Sequence, residues 1–122
     1  KNNTVTGAQS LAIGEDNIGS GENSIALGYK SLASAQYSTA IGNESSATTY
    51  GAFAAGQGNL SSGNDSTAFG GYNKATGDAS FVAGENSEAT GFYSFACGQT
   101  TKATGTSPIA ISESIHPPTV KS

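Results

Sequence analysis

The chain has 122 residues, enough for one ordinary domain, with five Lys+Arg against nine Asp+Glu and a formal net charge of −4. Seventeen glycines, no Trp, no Met and only 11% charged residues exclude an ordinary helical domain and a highly charged disordered chain. The mild acidity leaves no basic stripe to neutralise phosphates, which excludes nucleic acid as a partner.

Taken in chain order, the elements repeat. A partial unit at residues 3–7 reads NTVTG, and the first full one at residues 10–14 reads SLAIG. From there the units ending on Gly14, Gly28, Gly42, Gly56, Gly70, Gly84 and Gly98 are spaced 14 residues apart without an insertion, and Ser112 falls on the next step. They read SLAIG, SIALG, STAIG, AFAAG, STAFG, SFVAG and SFACG, closing with PIAIS. Between them run NIGSG, SLASA, SSATT, NLSSG, NKATG, SEATG and TKATG. Each coil is therefore two pseudo-heptads of the form Ser-x-Ala-x-Gly-x-x. A coiled coil needs large apolar residues at its a and d positions, whereas the recurrent residues here are Ser, Ala and Gly, and a glycine inside a helix costs about 1 kcal/mol relative to Ala. Five residues with period-2 alternation followed by two turn-forming residues predict a short strand and a tight turn, twice per coil. The fold class is all-β: a parallel β-solenoid of 14-residue coils with two short strands in each.

Alternation assigns the faces. Ala12, Ala26, Ala40, Ala54, Ala68, Val82, Ala96 and Ala110 point into a thin interior with no room for Leu or Phe. Methyl burial at about 0.8 kcal/mol per carbon cannot supply a full core, so a second surface must also be buried. The intervening positions of the first strand identify it: Leu11, Ile13, Ile25, Leu27, Ile41, Phe53, Phe69, Phe81, Phe95, Cys97, Ile109 and Ile111 form an outward apolar stripe. Such a stripe predicts self-association along the solenoid axis. The second strand carries mostly polar outward residues, such as Ser46, Thr48, Lys74, Glu88 and Lys102, and is expected to meet water.

The uninterrupted Ser-x-Ala-x-Gly pattern over residues 3–112 resembles the YadA-like head domain of trimeric autotransporter adhesins of Gram-negative bacteria. That resemblance implies a left-handed parallel β-roll and a parallel homotrimer, with the apolar stripe as its interface. It implies an extracellular head attached to host matrix proteins such as collagen, fibronectin or laminin, or to host cell receptors. It also implies a coiled-coil stalk and an outer-membrane anchor C-terminal to the head, neither of which is in this sequence. The tail at residues 113–122, with Pro117 and Pro118, departs from the repeat and is expected to be a cap, connector or disordered end. No run of about 18 apolar residues and no leader at Lys1 is present, so the chain reads as a soluble, excised piece.

No catalytic constellation emerges. His116, the only histidine, lies in the tail without a repeat-defined partner. Gly56-Gln57-Gly58 is two repeat positions falling together, since no helix pattern follows it. Asp16, Asn17, Asn64 and Asp65 read as turn formers, since they recur in no calcium-binding register, and no metal or cofactor is expected. Cys97 has no intrachain disulfide partner and reads as a small hydrophobe. The turns vary most, and Tyr29, Tyr37, Tyr50, Tyr72, Phe92 and Tyr93 fall there as candidate ligand contacts or as rims between neighbouring chains. Two other functions remain open. One is a structural spacer in an adhesin or a phage tail fibre. The other is an ice-binding lattice on the hydroxyl column from Thr6 to Thr104, which the companion residues Lys74, Glu88 and Lys102 argue against.

Overall fold

A computed structural model describes residues 2–111. Sixteen strands pair into two eight-stranded sheets, every pairing parallel and every register offset by one 14-residue coil. The long sheet runs through β2 (Leu11–Glu15), β4 (Ile25–Tyr29), β6 (Thr39–Asn43), β8 (Phe53–Gln57), β10 (Thr67–Gly71), β12 (Phe81–Glu85), β14 (Phe95–Gln99) and β16 (Ile109–Ile111). The short sheet runs through β1 (Thr4–Val5), β3 (Ile18–Gly19), β5 (Leu32–Ala33), β7 (Ser46–Ala47), β9 (Leu60–Ser61), β11 (Lys74–Ala75), β13 (Glu88–Ala89) and β15 (Lys102–Ala103). The roll of 14-residue coils is as the sequence predicts, and no helix occurs among the described residues. Lys1, Ser112, His116 and the tail at 113–122 lie outside them.

The two strands of a coil are unequal, where the sequence predicts two equal halves. The first keeps five residues, and the second keeps only two. Hydrogen bonding explains the difference. After Gly19 the amides of Ser20 and Gly21 both turn to one carbonyl, that of Ala33, at 3.0 and 3.3 Å. Ser62 and Gly63 do the same at Ala75, and Thr76 and Gly77 at Ala89. Two donors on one acceptor stop the one-to-one ladder at these glycines; where Ala35 and Thr49 stand instead, only Ser34 and Thr48 reach the next coil, at Ala47 O and Ser61 O (3.1 Å each).

The turns follow a rule of their own. The backbone enters the left-handed region at every seventh residue from Asn2 to Ser107, including Asp16, Asn23, Lys30, Tyr37, Gly51, Gly58, Tyr72 and Tyr93. From Asn23 onward each of these residues also donates its amide to the preceding coil, as in Asn23 to Ala8 O, Tyr37 to Glu22 O and Tyr93 to Asp78 O, all between 2.9 and 3.0 Å. The edges of the roll are thus laddered as continuously as its sheets.

The interior is as thin as alternation predicts. Ala26, Ala40, Ala54, Ala68, Val82 and Ala96 are fully buried, facing Ala33, Ala47, Ala75 and Ala89 of the short sheet, and Val82 is the largest fully buried side chain. Ala12 and Ala110 pack at the two ends, partly buried. Ser61 and Ser66 interrupt this apolar column with a hydroxyl pair at 2.6 Å, each also bonded to backbone.

A polar staple runs beside it. The Asn73 side chain donates to the carbonyls of Phe69 (2.5 Å) and Gly84 (2.8 Å), while its Oδ1 accepts from the Ser87 amide (2.9 Å). Asn17 and Asn59 repeat this arrangement, and Ser31, Ser45 and Ser87 occupy the same column with one bond each to the glycine carbonyl of the next coil. Asn17 and Asn59 are therefore interior braces and not exposed turn formers, which corrects the reading of Asn17. Asn73→Ala is expected to cost about 3 kcal/mol in denaturant unfolding, since it strands buried backbone groups, and Asn73→Ser to recover part of that by keeping one bond. Ser24→Ala, by contrast, is expected to be neutral within about 0.5 kcal/mol, because the buried Ser24 hydroxyl has no partner and Ala52 already stands in that column.

Candidate functional site

Two surfaces are built on this scaffold. On the long sheet, parallel register stacks the outward residues into two columns. Leu11, Ile25, Thr39, Phe53, Thr67, Phe81, Phe95 and Ile109 form one; Ile13, Leu27, Ile41, Ala55, Phe69, Ala83, Cys97 and Ile111 form the other. Every residue that the sequence assigns to the apolar stripe is on this face, interrupted only by Thr39 and Thr67. Large and small residues alternate across it. Phe69 is the register partner of Ala55 and meets Phe53 edge to face at 5.6 Å, and the Phe81 and Phe95 rings stack 5.1 Å apart. Ile13 (58% exposed), Ile109 (73%) and Ile111 (60%) are the most open members in the single chain, and Cys97 is half-buried with a free thiol.

The face of the short sheet is mixed. Its outward residues run Ile18, Leu32, Ser46, Leu60, Lys74, Glu88 and Lys102, beside the hydroxyl column of Ser20, Ser34, Thr48, Ser62, Thr76 and Thr90. The polar character expected from the sequence holds from Lys74 onward, where Glu88 and Lys102 pair at 3.8 Å, while Ile18, Leu32 and Leu60 make the other half partly apolar. One hydroxyl column beside apolar and charged neighbours is not the two-column lattice that ice binding requires.

The second surface is the pair of edges where coils turn. The six candidate aromatics divide between them. Tyr29 and Tyr72 lie on the edge that follows the long strands, Tyr29 as the last residue of its strand and not in the turn itself. Tyr37, Tyr50, Phe92 and Tyr93 lie on the edge that follows the short strands. Tyr29 carries the Lys30 ammonium 5.3 Å from its ring centre. The Tyr72 ring covers Gly58, where an added Cβ would meet it at 2.5 Å. Tyr37 and Tyr50 pack edge to face at 5.5 Å, and Phe92 and Tyr93 at 6.5 Å. No pocket opens, and no group of three His, Cys, Asp or Glu is placed to hold a metal, among the described residues. Whatever binds this surface meets an extended, shallow array.

The family model of the YadA head domain repeat, which spans two copies of the repeat, matches residues 6–31, 20–45, 33–59 and 61–87. The chain belongs to the YadA head family. No curated protein matches it. The YadA head repeat and the observed coil coincide, because each matched window covers about two coils of the roll. Sequence reasoning missed two features of this YadA-type head, the asparagine staple and the seven-residue cycle of left-handed residues. The first left a trace in NIGSG, NLSSG and NKATG. The second left none, because Asn, Asp, Lys, Tyr, Glu, Ala, Thr and Ser all occupy that position.

Proposed function

We propose that this YadA-type head is the adhesive part of a trimeric bacterial surface protein, attaching to host extracellular matrix or cell-surface molecules through a repetitive, multivalent surface. The observation that carries the reading is the pairing of a nearly constant scaffold with variable edges. The αL turns recur in every coil and, from Ala12 onward, the inward columns are Ala except at Gly19, Ser61 and Val82, while the exposed edge residues change from Glu and Gln to Tyr, Asp and Phe. Many weak contacts held rigidly at about 4.8 Å per coil raise avidity 10²- to 10⁴-fold over one site. Collagen, fibronectin and laminin are the proposed targets, and an outer-membrane anchor elsewhere in the parent protein would hold the head at the cell surface. Replacing Tyr29, Tyr37, Tyr50 and Tyr72 by Ser, singly and together, is expected to give graded losses of binding to these immobilised proteins. Silence of the intact head against the whole panel would instead favour a spacer without its own ligand.

The trimer is part of the same proposal. The long-sheet face is about 34 Å long at 4.8 Å per coil, longer than the apolar patches that soluble monomers expose, and three copies facing one axis would cover it. Ile41→Asp places a carboxylate in that face with no cationic neighbour and is expected to abolish assembly, as burial of an unpaired charge does. Thr90→Asp, on the short sheet, is expected to leave the trimer intact. Sedimentation equilibrium reads both, and a stable wild-type monomer would remove the interface altogether.

A further inference from the structure

The edge that follows the short strands carries two aromatic platforms. Tyr37 and Tyr50 are 49% and 50% exposed, and Phe92 and Tyr93 are 58% and 66% exposed. The fold does not ask for them. Tyr37 (φ 61°) and Tyr93 (φ 58°) occupy left-handed positions, where bulky residues are outliers and where this same edge elsewhere uses Asn23, Gly51 and Asp65. Tyr72 is also left-handed but has a packing role over Gly58, whereas neither Tyr37 nor Tyr93 covers a glycine.

Between and beside the platforms lie acceptors. The Glu22 carboxylate takes one bond from the Gln36 amide at 3.2 Å, and the Asp78 carboxylate takes one from the Asn64 backbone at 3.1 Å, each with further lone pairs open. Asp65 is exposed on the same line. The segments that build this edge, residues 20–24, 34–38, 48–52, 62–66, 76–80 and 90–94, contain no Lys or Arg. Amide bonds from Tyr37 to Glu22 O, Asp65 to Tyr50 O, Ala79 to Asn64 O and Tyr93 to Asp78 O hold the whole line at coil spacing. Tyr50 and Phe92 are three coils apart, about 14 Å at 4.8 Å per coil.

We infer that this edge binds a neutral oligosaccharide, with sugar rings laid on the Tyr37/Tyr50 and Phe92/Tyr93 platforms and hydroxyls donating to Glu22, Asp65 and Asp78. A pyranose presents a face of C–H bonds that suits the electron-rich face of an aromatic ring, and its hydroxyls are donors that carboxylates accept. Sulfated or sialylated chains are rejected by the carboxylates and find no cation. The shallow, rigid, pocketless line suits an extended glycan and not a buried peptide side chain. This inference rests on the adhesive reading and names the ligand class for one of its edges.

The test is saturation-transfer NMR on the intact head with lactose, cellotriose, maltotriose and diacetylchitobiose, and with a heparin tetrasaccharide as the anionic control. Transfer is expected to one or more neutral sugars and not to heparin. Tyr37→Asn and Tyr93→Asn remove a ring while suiting the left-handed backbone, so melting is expected to be unchanged or raised while transfer falls at least tenfold. No transfer to any neutral sugar, or transfer that survives both substitutions, overturns the inference. A change in sedimentation of either variant overturns it too, since the rings would then be chain-to-chain contacts. Binding of the same wild-type sample to immobilised matrix proteins separates the two readings. If it persists without sugar transfer, only the glycan assignment falls; if both are absent, the adhesive reading falls with it.

Discussion

Gly42→Ala is expected to destabilise the roll by about 4 kcal/mol or to prevent folding outright. Gly42 has φ +123°, a backbone conformation that L side chains rarely adopt, and its added Cβ would lie 2.0 Å from the Gly56 carbonyl oxygen and 2.9 Å from its carbon. Neither obstacle can give way. Gly56 is paired in register between Gly42 and Gly70, so moving it disturbs the strands on both sides. Its carbonyl also accepts the Ser45 hydroxyl at 3.2 Å. Gly105→Ala is the matched control, because a Cβ there meets nothing within 4 Å, and it is expected to change stability by less than about 0.5 kcal/mol. Thermal unfolding followed by circular dichroism reads both. Equal melting of the two variants would show that coil spacing is not set by the glycine column.

Ala68→Leu is expected to be nearly as damaging, at about 3 kcal/mol or more, above the usual range for overpacking because nothing nearby is flexible. Ala68 is fully buried and paired between Ala54 and Val82, the largest side chain the interior holds completely. The surrounding residues are methyl groups and backbone, with no long side chain that could change rotamer. The sheets must separate, and separation breaks the serine pair and the asparagine staple that tie them. Thr76→Leu puts the same side chain on the outside of the short sheet, where the residue is exposed, and is expected to leave melting within about 0.5 kcal/mol of wild type. Similar melting of both variants would reverse the assignment of inside and outside.

Both predictions draw on features that periodicity made legible. The 14-residue glycine spacing fixed the coil length, because parallel register without bulges requires every coil to have the same number of residues. Alternation then assigned Ala26 and Ala68 inward and Ile25 and Phe69 outward, since a period of two leaves no third choice. Ile13, Leu27 and Cys97 fell into one column for the same reason.

The inequality of the two strands was beyond that logic. The units SIALG and SLASA look alike as patterns, but only the tertiary ladder shows that Ser34 lies beyond the two-residue strand, its amide reaching the Ala47 carbonyl of the next coil, as those of Ser20 and Gly21 reach that of Ala33. Asn73 shows the same limit at one residue. A turn-forming asparagine and a buried brace are identical in sequence, and only the carbonyls of Phe69 and Gly84 converging on its amide distinguish them. Among the aromatics, composition placed all six near turns. The separation into two edges, with Tyr72 lying over Gly58 and Tyr37 meeting Tyr50, depends on residues 14 or 13 apart in the chain becoming neighbours in space. Sequence by itself determined the repeat, the coil and the two faces, because those follow from local alternation. The tertiary structure decided which polar groups are braces and which stay exposed at the edges, because that depends on what the adjacent coil presents.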